Sequence, residues 1–312
     1  MGVGGDLVGR AVNAVLVPPQ AVRFAALTGA DTGRLVLNVS GWNKLVLLDQ
    51  DRVFLFPRSA AGVEWFEREI AAYRALAQAE LAVVPRLLGY WQDPEIYPFP
   101  FAAVTRLPGQ VPAEPEALVD QVGRAIASWH QLDPPATSPP LLSLAGARPP
   151  QHHQAAHHRW LRRALDPASS AAAAAEAAGR LGQPGREGTW TALLARAARL
   201  APVLVHGDIH EDQLLAEDGR LTGILDWETA RVDHPFWDFD LGEWGTGLWR
   251  RHRREFSDLW DRGWRGYAAV RGLDPDSRPV QTAFRLRHAL RLLDDPGDPA
   301  VLGTIGEQLA YL

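Results

Sequence analysis

Val203-Leu204-Val205-His206-Gly207-Asp208-Ile209-His210-Glu211-Asp212-Gln213-Leu214-Leu215, followed after a short turn by Leu221-Thr222-Gly223-Ile224-Leu225-Asp226-Trp227-Glu228, is the stretch whose reading decides the fold. The three opening apolar residues form a short buried strand, and Asp208 emerges on the loop at its end, where functional carboxylates are commonly displayed. Asp218-Gly219, between the two apolar runs, is a strong signal for a two-residue hairpin turn. Antiparallel pairing about that turn folds Gln213 back to a position roughly opposite Asp226. Two oxygen donors are therefore expected to face one spot near Asp208.

A polar turn would explain an isolated aspartate, but the ordered set asks for more. Mg²⁺ takes oxygen ligands at about 2.0–2.1 Å, commonly one or two carboxylates, with substrate phosphates and water completing its shell. Asp226 and the Gln213 amide oxygen meet that demand. Asp208 beside them is placed to accept a proton from an attacking hydroxyl and orient it toward a γ-phosphate, the positioning that phosphoryl transfer asks of a protein.

Upstream, Leu35-Val36-Leu37, Leu45-Val46-Leu47-Leu48 and Val53-Phe54-Leu55-Phe56 read as strands of an antiparallel meander, separated by Ser40-Gly41 and by Asp49-Gln50-Asp51. Ser59 caps a following helix in which Val63, Phe66, Ile70, Tyr73 and Leu76 recur at helical spacing, with Glu69 on the same face. Phe101-Ala102-Ala103-Val104 gives one more strand before Leu107-Pro108-Gly109, where a hinge between two lobes is expected. Beyond it, Leu118, Val122, Ile126 and Trp129 mark a helix ended by Asp133-Pro134-Pro135. Residues 136–188 are rich in proline, histidine, alanine and glycine and are expected to pack little.

Composition narrows the classes. The 312 residues can fill one large domain or two modest lobes. A formal charge of −5 without a basic run lacks the footprint of a nucleic-acid surface. The absence of cysteine removes disulfides, zinc–thiolate sites and thiol nucleophiles. Neither a signal segment nor a run of about 18 apolar residues occurs, so a soluble, cytoplasmic protein without a membrane partner is expected.

His206-Gly207-Asp208 through Gln213 resembles the catalytic loop of the aminoglycoside phosphotransferase and choline kinase family, and Ile224-Leu225-Asp226-Trp227-Glu228 resembles its metal-binding segment. Asp233-His234-Pro235-Phe236-Trp237-Asp238 is similar to the next family segment, and Ser40-Gly41-Trp42-Asn43 to the loop over the nucleotide. The resemblance runs from about Leu35 to Gly245 and is weak between Pro135 and Pro202. It implies an α+β, two-lobed protein-kinase-like fold: a small antiparallel-sheet N-lobe over residues 1–106 and a mainly helical C-lobe over 107–312. ATP or GTP would lie between the lobes, with its base against Val104 and Arg106 and its phosphates under Ser40 and Gly41. Asp208 would be the catalytic residue, Gln213 and Asp226 would hold Mg²⁺, and His206 and Asp238 would brace the catalytic loop. The implied reaction is O-phosphorylation of a small hydroxyl-bearing molecule such as an aminoglycoside-like antibiotic, an amino alcohol or a sugar.

Two positions depart from the family pattern. The strand 53–58 usually carries a Lys or Arg that pairs the α/β-phosphates and a helix Glu; Leu55 stands there, while Glu69 matches the helix Glu. A carboxylate on a buried face needs a cation nearby. Lys44, the chain's one lysine, lies beside the nucleotide loop and is the expected replacement, with Arg58 as the alternative. Gln213 stands for the family's Asn, keeping the amide oxygen at the cost of an extra methylene and, with it, of metal affinity. These departures make a protein that binds nucleotide without transferring phosphate the alternative reading.

On the acceptor side, His210, Glu211, Glu228, Asp240 and Glu243 supply polar or negative groups close in sequence to Asp208 and Asp226, suited to a cationic acceptor. Trp227, Trp237, Trp244 and Trp249 offer either aromatic faces or core. His152, His153, His157 and His158 include a pair four apart, which on a helix could share a metal, but lack the glutamate of a metalloprotease arrangement; a lid over the acceptor pocket is the expectation there.

Overall fold

The computed structural model describes residues 15–38, 43–133, 175–176, 179–180, 182, 185–186, 188, 203–233, 235, 238 and 256–272. The chain divides into two compact units that interleave along the sequence: Met1–Ala113 with Pro135–Leu142 and Asp212–Arg231, and Glu114–Pro134 with Ser143–Glu211 and Val232–Leu312.

The first unit is built on a five-stranded antiparallel sheet in the order β1-β2-β3-β5-β4, from β1 (Val36–Asn38), β2 (Lys44–Leu48), β3 (Arg52–Pro57), β4 (Leu87–Trp91) and β5 (Phe101–Thr105). Side chains alternate across a pleated sheet. One face therefore carries Leu47, Phe54, Phe56, Phe101 and Ala103, and α1 (Pro18–Thr28) packs Phe24 onto it. Phe24 meets Phe54 edge-on at 4.9 Å, and Phe56 stacks on Phe101 at 5.2 Å. The Arg52 guanidinium donates to the Thr28 carbonyl at the end of α1, binding that helix to the sheet. The opposite face carries Lys44, Val46, Leu55 and Val104 and is turned toward α2 (Ala60–Leu76), whose Phe66, Glu69, Ile70 and Tyr73 are buried.

Ser59 caps α2, its hydroxyl accepting from the Gly62 N–H at 3.2 Å, as the sequence predicts. Strand β4 and helix α1 are additions to the predicted elements. Pro85 lies just before β4 and Gly89 within it, and pairing with β5 holds the segment extended through an irregular register between Leu87 and Gly89.

The predicted hairpin forms as β6 (Leu214–Glu217) and β7 (Arg220–Ile224), with Asp218 at φ 49° and Gly219 at φ 71°, the doubly left-handed turn that Asp-Gly favours. The pair belongs to the first unit. Gln110 and Ala216 exchange backbone hydrogen bonds, the Thr222 hydroxyl donates to the Pro108 carbonyl at 2.6 Å, and the Ile224 N–H donates to the Val83 carbonyl. Gly109 has φ 98°, and a Cβ there would meet the Ala216 carbonyl at 2.6 Å, so only glycine lets the 107–110 segment pass this close.

In the second unit, α3 (Val119–Trp129) packs along α4 (Phe256–Arg271). The crossing is backbone on backbone: a Cβ on Gly123 would lie 2.0 Å from the Gly263 carbonyl, and one on Gly266 would lie 2.1 Å from that of Asp120. Trp129, Trp264 and Tyr267 are buried around it. The short strand Val203–Val205 is wholly buried and leads directly to His206. Among the described residues, no helix is long and apolar enough to cross a membrane.

Candidate active site

Lys44 is the centre of the polar cluster in the first unit. The register sets Lys44 opposite Pro57 and Val46 opposite Leu55, so Lys44 and Leu55 share one face of the sheet on adjacent strands. Diagonal neighbours of this kind lie within reach of a long side chain. The Lys44 ammonium sits 2.6 Å from Glu69 Oε2, 2.6 Å from Asp226 Oδ1 and 3.2 Å from Glu228 Oε2. Glu69 is completed by the Tyr73 hydroxyl, one helical turn on, which donates to Oε1 at 2.8 Å; Glu228 Oε1 accepts from the Asn43 amide at 2.6 Å.

Burial alone would push the Lys44 ammonium down, but attraction to Asp226, Glu69 and Glu228 raises it well above the ordinary lysine value. Burial raises Glu69 above the usual carboxylate value against the pull of Lys44, and burial next to Glu69 raises the Tyr73 hydroxyl, which remains a neutral donor. The cluster is thus an ammonium among carboxylates on a face otherwise lined by Val46 and Leu55.

Asp226 stands at φ 67°, ψ 59°, a left-handed conformation that only glycine, asparagine and aspartate visit readily. The Leu225 N–H donates to the Gln213 carbonyl at 2.8 Å and Leu214 pairs with Ile224; a register shift between Leu215 and Ala216, which the turn alone does not foretell, brings Gln213 across from Leu225, one residue short of Asp226. Gln213 is buried.

The second unit holds the loop His206-Gly207-Asp208. Asp238 accepts from the His206 and Gly207 backbone N–H groups at 3.0 and 2.8 Å and from the Trp129 indole at 2.7 Å. His130 Nε2 is 3.1 Å from Asp238 Oδ2, and its Nδ1 is 3.2 Å from the Tyr267 hydroxyl. Burial pushes the His130 imidazole down, so it is neutral, donates from Nε2 to Asp238 and accepts from Tyr267 at Nδ1. The backbone N–H of Asp208 donates to His206 Nδ1 at 3.3 Å, holding the Asp208 turn.

A model of the phosphotransferase enzyme family matches residues 28–277. The chain belongs to that family. Among solved structures it resembles the ADP-bound aminoglycoside phosphotransferase APH(2'')-Ib, with TM-score 0.53 and 13% identity over 94% of this chain and 97% of the other. It also resembles APH(2'')-IIa in a ternary complex with streptomycin and ATP (TM-score 0.51, 13% identity, 95% and 97% covered) and in a gentamicin complex (0.53, 14%, 95% and 96%). At these identities the likeness is one of fold, the two-lobed, protein-kinase-like α+β architecture that the sequence implies. No curated protein matches the chain.

One residue of this phosphotransferase-family chain, Trp227, stands elsewhere than the sequence suggests, and others are engaged by neighbours within the chain. Trp227 is wholly buried with its indole N–H on the Ile224 carbonyl, so it is core and offers no face to an acceptor. Glu228 is engaged by Lys44 and Asn43. Arg58 donates to the Lys44 carbonyl and supports the start of β2, leaving the cation beside Glu69 to be Lys44. Val104 is buried within a strand paired on both edges, and Arg106 donates to the carbonyl of Asp49. His210 and Glu211 are half-buried on the loop after Asp208. Ser40, Gly41, Asp240, Glu243 and the histidines of 152–158 lie outside the described residues.

Trp129, His130 and Tyr267 were not singled out by the sequence as supports of the Asp208 loop. One signal was available: a histidine directly after an apolar helical stripe is buried, and a buried imidazole needs partners.

Proposed function

We propose that the protein is an O-phosphotransferase that moves the γ-phosphate of ATP or GTP to a hydroxyl of a small molecule, with an aminoglycoside-like antibiotic, an amino alcohol or a sugar as the acceptor class. The observation that carries this reading is the Lys44 ammonium within 2.6 Å of both Glu69 and Asp226. Leu55 removes the basic residue from its usual strand, and Lys44 supplies one from the neighbouring strand on the same face. In this reading Lys44 meets the nucleotide phosphates, Glu69 holds Lys44, and residues 1–106 together with the 212–231 hairpin make the nucleotide lobe.

The donors fit Mg²⁺. Asp226 gives a part-exposed carboxylate and Gln213 an amide oxygen, hard oxygen ligands of the kind Mg²⁺ takes. Bound there, Mg²⁺ would neutralise charge on the phosphates. Asp208, on a loop whose backbone is fixed by Asp238, would accept the proton of the acceptor hydroxyl and orient its oxygen.

The test is incubation with Mg-ATP or Mg-GTP and pooled aminoglycosides, macrolides, amino alcohols and sugars, read as a mass gain of one phosphate on an acceptor. Transfer abolished by Asp208→Asn supports the reading. A persistent blank with nucleotide binding intact would favour a protein that binds nucleotide without transfer.

A further inference from the structure

Lys44 is held by more anions than a phosphate clamp requires. Glu69 and Glu228 present the same pattern to it. Each turns Oε2 toward the ammonium, at 2.6 and 3.2 Å, and each has Oε1 taken by a neutral donor, the Tyr73 hydroxyl at 2.8 Å and the Asn43 amide at 2.6 Å. A carboxylate pinned through one oxygen is fixed in rotation, so the other oxygen stays aimed. The main chain of Glu228 is fixed as well: Arg68 donates to its carbonyl, and the adjoining Trp227 is wholly buried.

Asp226 differs in setting. Its side chain is 40% exposed against 15% for Glu228 and 2% for Glu69. On the reading above, on which this inference rests, Asp226 would serve the metal–nucleotide complex, and Lys44 would then keep two of its three carboxylates. A buried ion deprived of its partners is strongly destabilising, whereas two oriented carboxylates still compensate the ammonium. Lys44 also starts at the end of its strand, opposite Pro57, the last residue of β3. The side chain must therefore be directed by groups beyond the sheet.

We propose that Glu228 is a positioning residue for Lys44: with Glu69 it holds the ammonium at the nucleotide phosphates while Asp226 serves the metal. This assigns Glu228 to the nucleotide side of the reaction, with Asn43 as the residue that aims it.

Lys44 is the chain's one lysine, so it can be followed without ambiguity. In protein labelled with ¹⁵Nζ-lysine, a single side-chain ammonium signal reports on it, and reductive methylation at that residue reports how firmly it is held. Glu228→Gln keeps the shape and the acceptor for Asn43 and removes the charge. It is expected to shift the ammonium signal, to speed methylation roughly tenfold and to weaken Mg-ADP binding roughly tenfold. Asn43→Ala, which removes only the aiming contact, should move the same readouts in the same direction by about threefold. In a Lys44→Met background, Glu228→Gln should change the Mg-ADP dissociation constant by less than about twofold, since its effect passes through the lysine.

An unchanged signal, methylation rate and affinity in both single variants overturns the proposal, and so does a full tenfold effect of Glu228→Gln without Lys44. Should the wild-type protein show no response to Mg-ADP or Mg-GDP while Glu228→Gln still frees Lys44, the anchoring stands and the nucleotide reading falls.

Discussion

Lys44 and Leu55 lie on neighbouring strands yet share one face of the sheet, Lys44 opposite Pro57 and Leu55 opposite Val46. Their exchange is therefore predicted to be partly reversible. Lys44→Met leaves Glu69 buried without its cation and should cost about 3 kcal/mol of stability, together with at least about tenfold in Mg-nucleotide affinity. Adding Leu55→Lys to that variant returns an ammonium to the same face and should recover part of both. Thermal midpoints and nucleotide titrations of the three variants decide the matter; a double variant no better than Lys44→Met would separate position 55 from the Glu69 cluster.

What the sequence made legible was local. The Asp218-Gly219 turn, the Ser59 cap and the Leu118-Val122-Ile126-Trp129 stripe each depend on residues within a few positions, and each appears where the pattern sets it. The Lys44–Glu69 pair crosses 25 residues and was legible only because an apolar helical face carrying Glu69 demanded a cation and the chain has one lysine. Trp227 and Glu228 were assigned to the acceptor because they adjoin Asp226. Adjacency does not fix direction, and the short helix after Asp226 turns one into the core and the other toward Lys44. The resemblance pointed to Asp238 beside the Asp208 loop, whereas the groups that hold Asp238 lie far off in sequence: His130 meets Asp238 across 108 residues and Tyr267 across 137.

That support should make the protein acid-sensitive in two stages. His130 is held below its ordinary value of 6.5 by burial, so the stability it contributes as a neutral ring is full above about 6.5 and is lost as pH falls through its lower folded value. Asp238 is pushed up by burial but held below 3.8 overall by the His130 hydrogen bond, by attraction to the His130 and His206 rings once acid has protonated them, and by the Gly207 N–H; its contribution is present above 3.8 and is lost only at still lower pH. The thermal midpoint should begin to fall below about pH 6.5, and His130→Gln should remove that first stage and, by withdrawing the contact that holds Asp238 down, move the second to higher pH. Superimposable pH profiles for the wild type and His130→Gln would exclude His130 as the origin.

The α3–α4 crossing makes a sharper prediction, because the atoms in the way belong to the backbone and cannot rotate aside. Gly123→Ala or Gly266→Ala sets a methyl about 2 Å from a carbonyl oxygen and forces the helices apart. After a gain of about 1 kcal/mol in helix propensity, a net loss of about 2 kcal/mol or more is expected. Gly179→Ala, at a helical position with nothing within 4 Å of the added carbon, should be neutral or slightly stabilising. Calorimetry of the three variants checks this, and equal midpoints would contradict so close a crossing.

Asp226 joins two demands in one residue, a left-handed backbone and a carboxylate, and substitutions can separate them. Asn tolerates φ 67° and keeps an oxygen but no charge, whereas Ala keeps neither the local hydrogen bonding that favours this conformation nor the oxygen. Asp226→Ala should therefore be less stable than Asp226→Asn by about 1 kcal/mol. On the proposed function both should lose the dependence of nucleotide binding on Mg²⁺, because each would remove the anionic donor that Gln213 alone could not replace. Denaturant melts give the first comparison and nucleotide titrations with and without Mg²⁺ the second. Retention of Mg²⁺-dependent binding in both variants would place the metal away from Asp226, while equal stability would show that the left-handed turn is held by the packing of Trp227 rather than by the residue that adopts it.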